Sequence, residues 1–185
     1  MARPVIVILN GVGSVGKTSL ARALQSTTAM PFLHIAMDAF LDMLPAHLIG
    51  HPDGLVFEKL LDDGMSTIAI RSGPVLARTM LGMRHAVAAM AEQGNNLIVD
   101  AVMIDPDAAN AYRLLLARFD VRLVGLFAPL EVLEQRERTR GDREIGLARW
   151  QFGRVHQGMV YDLEIDTAVA TPEENARRIC QAFRL

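Results

Sequence analysis

The chain has 185 residues, 51% of them apolar, and a formal net charge of −2 at pH 7. That length suits one α/β domain with a buried core, so residues 1–185 read as a single unit rather than two. The near-neutral balance gives no electrostatic reason to expect nucleic acid or an anionic membrane as a partner.

Pro4 to Asn10 is a continuous β-branched apolar run, which predicts a strand buried on both faces. It breaks at Asn10-Gly11, too soon for a signal peptide or a membrane span. A loop follows to Gly16, and Lys17 to Gln25 has helical spacing. Phe32 to Met37 reads as a second short strand ending at Asp38. Residues 39–72 are the least regular part, punctuated by Pro45, Gly50, Pro52, Gly54 and Gly64. They predict a short helix around Ala39–Leu44, then irregular structure with a small hairpin or helix. Inserts of this kind carry substrate specificity on a rigid scaffold.

Pro74 to Gln93 is the longest helical pattern, with Leu76, Met80, Met83, Val87 and Met90 on one side and Gly94 as its stop. The methionines read as core filler. Leu97 to Val102 is the third buried strand, with Asp100 near its carboxyl end. Asp105-Pro106 opens a helix to about Arg118, and Val121 to Phe127 is the fourth strand. Leu130 to Thr139 is a helix that leads into an arginine-rich turn. Leu147 to Gln157 is helical again, and Leu163 to Asp166 is a fifth strand. Thr171-Pro172-Glu173-Glu174 is a capping box with proline at the first helical position. The last helix holds Cys180, a small core residue by expectation; as the one cysteine it excludes an intrachain disulfide and fits a cytoplasmic protein.

Apolar strands separated by helices specify a three-layer α/β fold, a five-stranded parallel sheet covered on both faces. Ligands on such sheets bind beyond the carboxyl ends of the strands, where Gly11, Asp38 and Asp100 all fall.

Gly11-Val12-Gly13-Ser14-Val15-Gly16-Lys17-Thr18 matches the phosphate-loop pattern G-x-x-x-x-G-K-[ST]. Its glycines let backbone N–H groups converge on phosphate oxygens, Lys17 meets the β- and γ-phosphates, and the Thr18 hydroxyl ligates Mg²⁺. The helix that begins there adds its positive end. Gly11 through Thr18, with Ser19, form the predicted nucleotide-binding set, and the implied ligands are ATP and Mg²⁺. No N-K-x-D guanine motif occurs, the third strand lacks the glycine of a GTPase switch, and no L-S-G-G-Q signature is present. A chain this short with an arginine-rich segment late in the sequence points to the small-kinase branch of P-loop proteins.

Asp38 has two readings on the residues alone: the general base that accepts a hydroxyl proton, or the N-cap of the following helix. Asp100 reads as an acid that supports Mg²⁺, with a polar strand end as the bland alternative. Arg136, Arg138, Arg140 and Arg143 alternate with acids. They form either a solvated helix face or an arginine-rich lid, at about residues 137–147, that closes on the phosphates. Gly141 breaks the helix there and favours the lid. His47 and His51 lie four apart, but Gly50 and Pro52 oppose a helix and no third metal ligand is evident. Trp150 and Tyr161-Asp162 either shape a pocket near the lid or pack in the core.

The segments ILNGVGSVGKTSLARALQ, MDAFLDMLP, ERTRGDREIGLA and VHQGMVYDLEIDT together resemble the chloramphenicol phosphotransferase family of P-loop kinases. The resemblance runs from end to end in the same order. It implies an adenylate-kinase-like fold, ATP-dependent phosphorylation of a hydroxyl, and a small hydroxylated substrate such as an antibiotic. It also implies that Asp38 is the general base, that Lys17 is the phosphate lysine, and that Arg136, Arg140 and Arg143 are lid arginines. The chain departs from the family where Ala101 follows Asp100 instead of a second acid, and residues 48–71 match poorly. Two rivals stand beside this reading. One is a kinase of a nucleotide or sugar acid that uses Arg71, Arg78 and Arg84. The other is a nucleotide-binding regulator with no acceptor. Nothing in the sequence sets an oligomeric state.

Overall fold

The computed structural model describes residues 3–62, 64–141 and 144–185. Five strands build the main sheet: β1 (Val5–Gly11), β2 (Phe32–Ala36), β5 (Asn96–Ala101), β6 (Asp120–Phe127) and β7 (Leu163–Asp166). Their order is β2-β5-β1-β6-β7 and every pairing is parallel. The central strand β1 therefore has protein on both edges as well as both faces, which is why its run is apolar without alternation.

The two faces are sorted by the period of the strand. Val7 and Leu9 join a core with Leu20, Ala21 and Leu24 of α1 (Lys17–Thr27) and Ala176 and Ile179 of α7 (Pro172–Phe183). Ile6 and Ile8 face the other way, onto Met83, Val87 and Ala91 of α3 (Pro74–Glu92) and Tyr112 of α4 (Pro106–Leu115). Each fully buried Ile or Leu contributes about 1.5–3 kcal/mol of apolar transfer. Met83 is core filler as expected, and Cys180 packs half-buried against the first core.

The expected elements form with moved ends. The helix expected from Asp105 stops at Leu115, and the one from Leu147, α6, stops at Phe152 before a series of turns. The capping box forms in full: the Thr171 hydroxyl accepts from Glu174 N and the Glu174 carboxylate accepts from Thr171 N.

Residues 39–72 are more regular than expected, and of the two alternatives the hairpin forms. Strand β3 (Leu55–Asp62) pairs antiparallel with β4 (Met65–Ser72), after a short helix α2 (Met37–Leu41) and a 3₁₀ turn at Ala46–Leu48. Leu44, Leu48, Leu55 and Leu76 form a third apolar cluster that fastens this segment to α3. On the far side the hairpin meets the start of α6, where the Gly146 carbonyl accepts from the Thr67 hydroxyl and from Ile68 N. The segment is thus held between α3 and α6, over the carboxyl edge of the main sheet.

Candidate active site

A cavity of about 940 Å³ opens at that edge. One end is lined by the loop from Gly13 to Thr18, and the other by α2, the hairpin and α3.

The phosphate loop owes its shape to two different constraints on glycine. Gly16 sits at φ +99° as the N-cap of α1, a conformation that disfavours a side chain. Gly11 is limited by space, since a Cβ there would lie 2.8 Å from Leu126 O and 2.9 Å from Val15 Cγ1. Val12 and Val15 bury their side chains completely and leave only their backbone to the loop. Gly11 and Val12 do not line the cavity, but their carbonyls hold Lys17, whose Nζ donates to both at 3.0 and 3.1 Å. Ser14, at φ +63°, keeps a buried Oγ that has no hydrogen-bond partner among the described residues. An unpaired buried hydroxyl inside a cradle of N–H groups fits an anionic ligand that would satisfy it.

Asp100 lies opposite. Parallel pairing of β1 with β5 sets Leu9 beside Asp100 and brings the carboxylate to the loop. Its Oδ2 accepts from the Thr18 hydroxyl at 2.8 Å, and its Oδ1 is 3.9 Å from Lys17 Nζ. His34 Nε2, from β2, stands 3.8 Å from Oδ2, too far for a hydrogen bond, so its influence is electrostatic. Burial pushes the Asp100 carboxyl up, but His34, Lys17 and Thr18 together outweigh it and hold its pKa below the ordinary 3.8. Asp100 is therefore an anion at neutral pH. Thr18 and Asp100 form a pair of hard oxygen ligands, and no group of three His, Cys, Asp or Glu among the described residues could hold a metal unaided. That donor set fits Mg²⁺, which retains water and phosphate oxygens, and does not fit a metal caged by protein alone.

Asp38 is the second residue of α2 and lines the same cavity. Strand β2 ends at Ala36, two residues earlier than expected. Ala36 is the N-cap of α2, and no side-chain capping bond is made there. The N-cap alternative for Asp38 is not what forms.

Arg136 lines the cavity with its guanidinium bound to the protein itself: it donates to Val15 O, to the Thr167 hydroxyl and to Thr167 O. It ties the loop after β7 to the phosphate loop. Arg140, the last residue of α5 (Leu130–Arg140), is also at the cavity, and Gly141 ends the helix at φ +68° as its position suggested. Arg138 is exposed and donates to Gln135. Arg143 lies outside the described residues. Ser19 and Trp150 line the cavity, whereas Tyr161 does not. Tyr161 belongs to a buried network below it, where its hydroxyl meets Asn10 Nδ2 at 2.8 Å and His156 Nδ1 at 2.7 Å. His51 pairs with Asp53, with His47 elsewhere on the 3₁₀ turn.

Several residues of the site carried no sequence signal. Gln151 accepts from Gly13 N at 2.7 Å, and Thr167 anchors Arg136. Glu137 is one of the acids that alternate with the arginines; it is 2% exposed, and its carboxylate accepts from Gly146 N and Ala148 N, both at 2.8 Å. It caps the start of α6 from the neighbouring helix. Phe57, Ile70, Leu76 and Met80 line the far end of the cavity and make it apolar.

An all-parallel sheet in this strand order, with a phosphate cradle at the carboxyl end of its central strand, defines the P-loop kinase-like class. The chain belongs to the chloramphenicol phosphotransferase-like protein family, whose model matches residues 4–184, and it is a phosphotransferase. It is 30% identical over 185 residues to the Mycobacterium tuberculosis (strain H37Rv) protein named "Putative O-phosphotransferase Rv2636", covering 97% of this chain and 82% of that one. Among solved structures it is similar in fold to the M. tuberculosis APS kinase CysC in complex with AMPPNP and APS, with TM-score 0.71, 16% identity and full coverage of both chains. The Deinococcus radiodurans tunicamycin resistance protein gives TM-score 0.66 at 21% identity, covering 100% of this chain and 97% of that one. No helix among the described residues is long and apolar enough to cross a membrane.

Proposed function

We propose that the protein transfers the γ-phosphoryl group of ATP to a hydroxyl of a small, uncharged and largely apolar molecule. The observation that carries this reading is one cavity with the phosphate loop at one end and, at the other, Asp38 beside a wall of Phe57, Ile70, Leu76 and Met80. Residues 39–72 serve as the acceptor-binding insert and 137–147 as the lid.

ATP places its phosphates on the amides of Gly13 to Thr18, and Lys17 leaves its loop carbonyls for the β- and γ-phosphates. Thr18 and Asp100 would hold Mg²⁺, which supplies charge neutralisation on those phosphates. The acceptor hydroxyl lies between Asp38 and the γ-phosphorus. Its oxygen forms the new bond to phosphorus as the bond to the β,γ-bridging oxygen breaks, ADP leaves with that electron pair, and Asp38 takes the hydroxyl proton. Arg140 and Arg143 offset the charge spread over the transferring group.

The lining of the acceptor end argues against a nucleotide or sugar acid as acceptor. Arg78 and Arg84 do not line the cavity, and Arg71 is paired with Glu58 on the hairpin. A charged acceptor buried against Phe57 and Ile70 would find no counter-ion on the hairpin or α3, whose cavity-lining residues are Leu55, Phe57, Ile70, Ser72, Leu76 and Met80. The free thiol Cys180 and the need for ATP fit a cytoplasmic location.

The test is a panel of hydroxylated compounds, chloramphenicol among them, scored for ADP release above the ATP-only background. Release that rises with an apolar alcohol supports the reading. Release only with phosphorylated or carboxylated acceptors would overturn the acceptor class. Hydrolysis indifferent to every alcohol would identify an ATPase or a regulator.

A further inference from the structure

We propose that Gln151 reads the γ-phosphoryl group: its side-chain carbonyl fixes the Gly13 amide of the phosphate loop while its side-chain NH₂ donates to a γ-phosphoryl oxygen. The inference rests on the ATP-dependent reading above.

Gln151 is 3% exposed, and the surface it keeps lines the cavity. Gly13 contributes an N–H to the 2.7 Å contact, so the atom facing the loop must be Oε1. Nε2 is then the remaining polar atom of the side chain, and no described residue accepts a hydrogen bond from it. The buried side-chain atoms left unpaired among the described residues are Ser14 Oγ, His34 Nε2 and Arg122 Nε, so Gln151 Nε2 keeps access to the cavity, where an acceptor that arrives with the ligand is its natural complement.

The place of Gln151 along the loop identifies that acceptor. Lys17 Nζ rests on the carbonyls of Gly11 and Val12, so the lysine that meets the β- and γ-phosphates is drawn to the beginning of the motif, next to Gly13. The later loop amides lie toward the start of α1 and the inner phosphates. From α6, Leu147 and Trp150 also line the cavity. Gln151 therefore stands where the terminal phosphate would lie.

Its support is rigid. The Glu137 carboxylate holds Gly146 N and Ala148 N, and the Gly146 carbonyl is bound by Thr67 and Ile68 of the hairpin. The helix that presents Gln151 is thus fixed to α5 and to β4 before any ligand binds, which is the condition for a preorganised contact.

The experiment measures ADP and AMPPNP affinity, with Mg²⁺, by calorimetric titration of the full chain as wild type, Gln151→Met and Gln151→Glu. Gln151→Met weakens AMPPNP by about 10-fold or more and leaves ADP within about 2-fold, because only AMPPNP carries the γ-phosphoryl group. Gln151→Glu can still accept from Gly13 N, but it sets an anion against the phosphoryl oxygens. It should weaken AMPPNP more than the Met variant does, again sparing ADP. A role confined to holding Gly13 predicts the reverse, with Glu near wild type and Met losing both nucleotides alike, and either result overturns the proposal. Should Gln151→Met fail to fold, the Glu variant decides alone. If wild type binds both nucleotides and Gln151→Glu shows no AMPPNP-specific loss, the Gln151 assignment falls by itself. If wild type binds neither nucleotide, the ATP reading falls with it.

Discussion

The Thr18 hydroxyl donates to Asp100 Oδ2 at 2.8 Å, joining two residues 82 positions apart in the chain. The contact exists because β1 and β5 are parallel neighbours, so the loop after one and the last residues of the other share an edge. If this pair is the magnesium site, Asp100→Asn should raise the Mg²⁺ concentration for half-maximal activity by about 10- to 100-fold. A magnesium titration of phosphoryl transfer at fixed ATP checks it, and an unchanged midpoint would remove Asp100 from that role.

Asp38 lines the cavity without capping its helix. Asp38→Asn keeps the size of the side chain and removes the proton acceptor. Transfer should fall by about 10²- to 10⁴-fold while ATP affinity stays near wild type. Near-normal transfer together with normal ATP binding would refute the general-base assignment.

Phe57 and Ile70 are cross-strand partners in the hairpin and both line the acceptor end. Phe57→Ala should raise the acceptor KM by about 10-fold or more and leave the KM for ATP unchanged. Leu61→Ala is the control: Leu61 is 81% exposed and absent from the cavity. A shift in both KM values for the Phe57 variant would mean that the hairpin does not form a separate acceptor end.

Glu137 satisfies two backbone N–H groups at the start of α6. Glu137→Ala leaves both unpaired and should cost about 2–4 kcal/mol in denaturant unfolding. Glu137→Gln retains an accepting oxygen and should lose less. Equal losses would assign the effect to side-chain volume instead of capping.

Burial holds the His156 pKa below the ordinary 6.5; a hydrogen bond that the ring donates to the Leu126 backbone opposes it, and the nearby Lys17 charge acts with burial. The unfolded chain then takes up a proton that the folded chain refuses. This contribution to stability is complete above pH 6.5 and is lost as pH falls from there through the folded pKa. The melting temperature should decline from about pH 7.5 to about pH 5, and His156→Gln should flatten that slope. Differential scanning fluorimetry across the range measures both slopes; identical slopes would exclude His156.

The family resemblance already carried Asp38 as the base, yet the residues alone left it between two roles. The helix start at Met37, with Ala36 as cap, places it at the cavity. The resemblance makes Arg136 a lid arginine, and its partners Val15 and Thr167 are visible only in three dimensions.

By itself the sequence determined the phosphate loop, the alternation of strands and helices that makes the sheet parallel, and the capping box at Thr171. Each of these is a local rule, written in residues close together in the chain: glycines where the backbone must curl, apolar runs where both faces are covered, and a threonine three positions before a glutamate. Tertiary structure decided what faces the loop. Gln151 reaches Gly13 across 138 positions, and Glu137 caps a helix other than its own. The apolar acceptor end is assembled from the hairpin and α3. A glutamine or a phenylalanine has no local signature for such a role, because its partner is chosen by how distant elements pack.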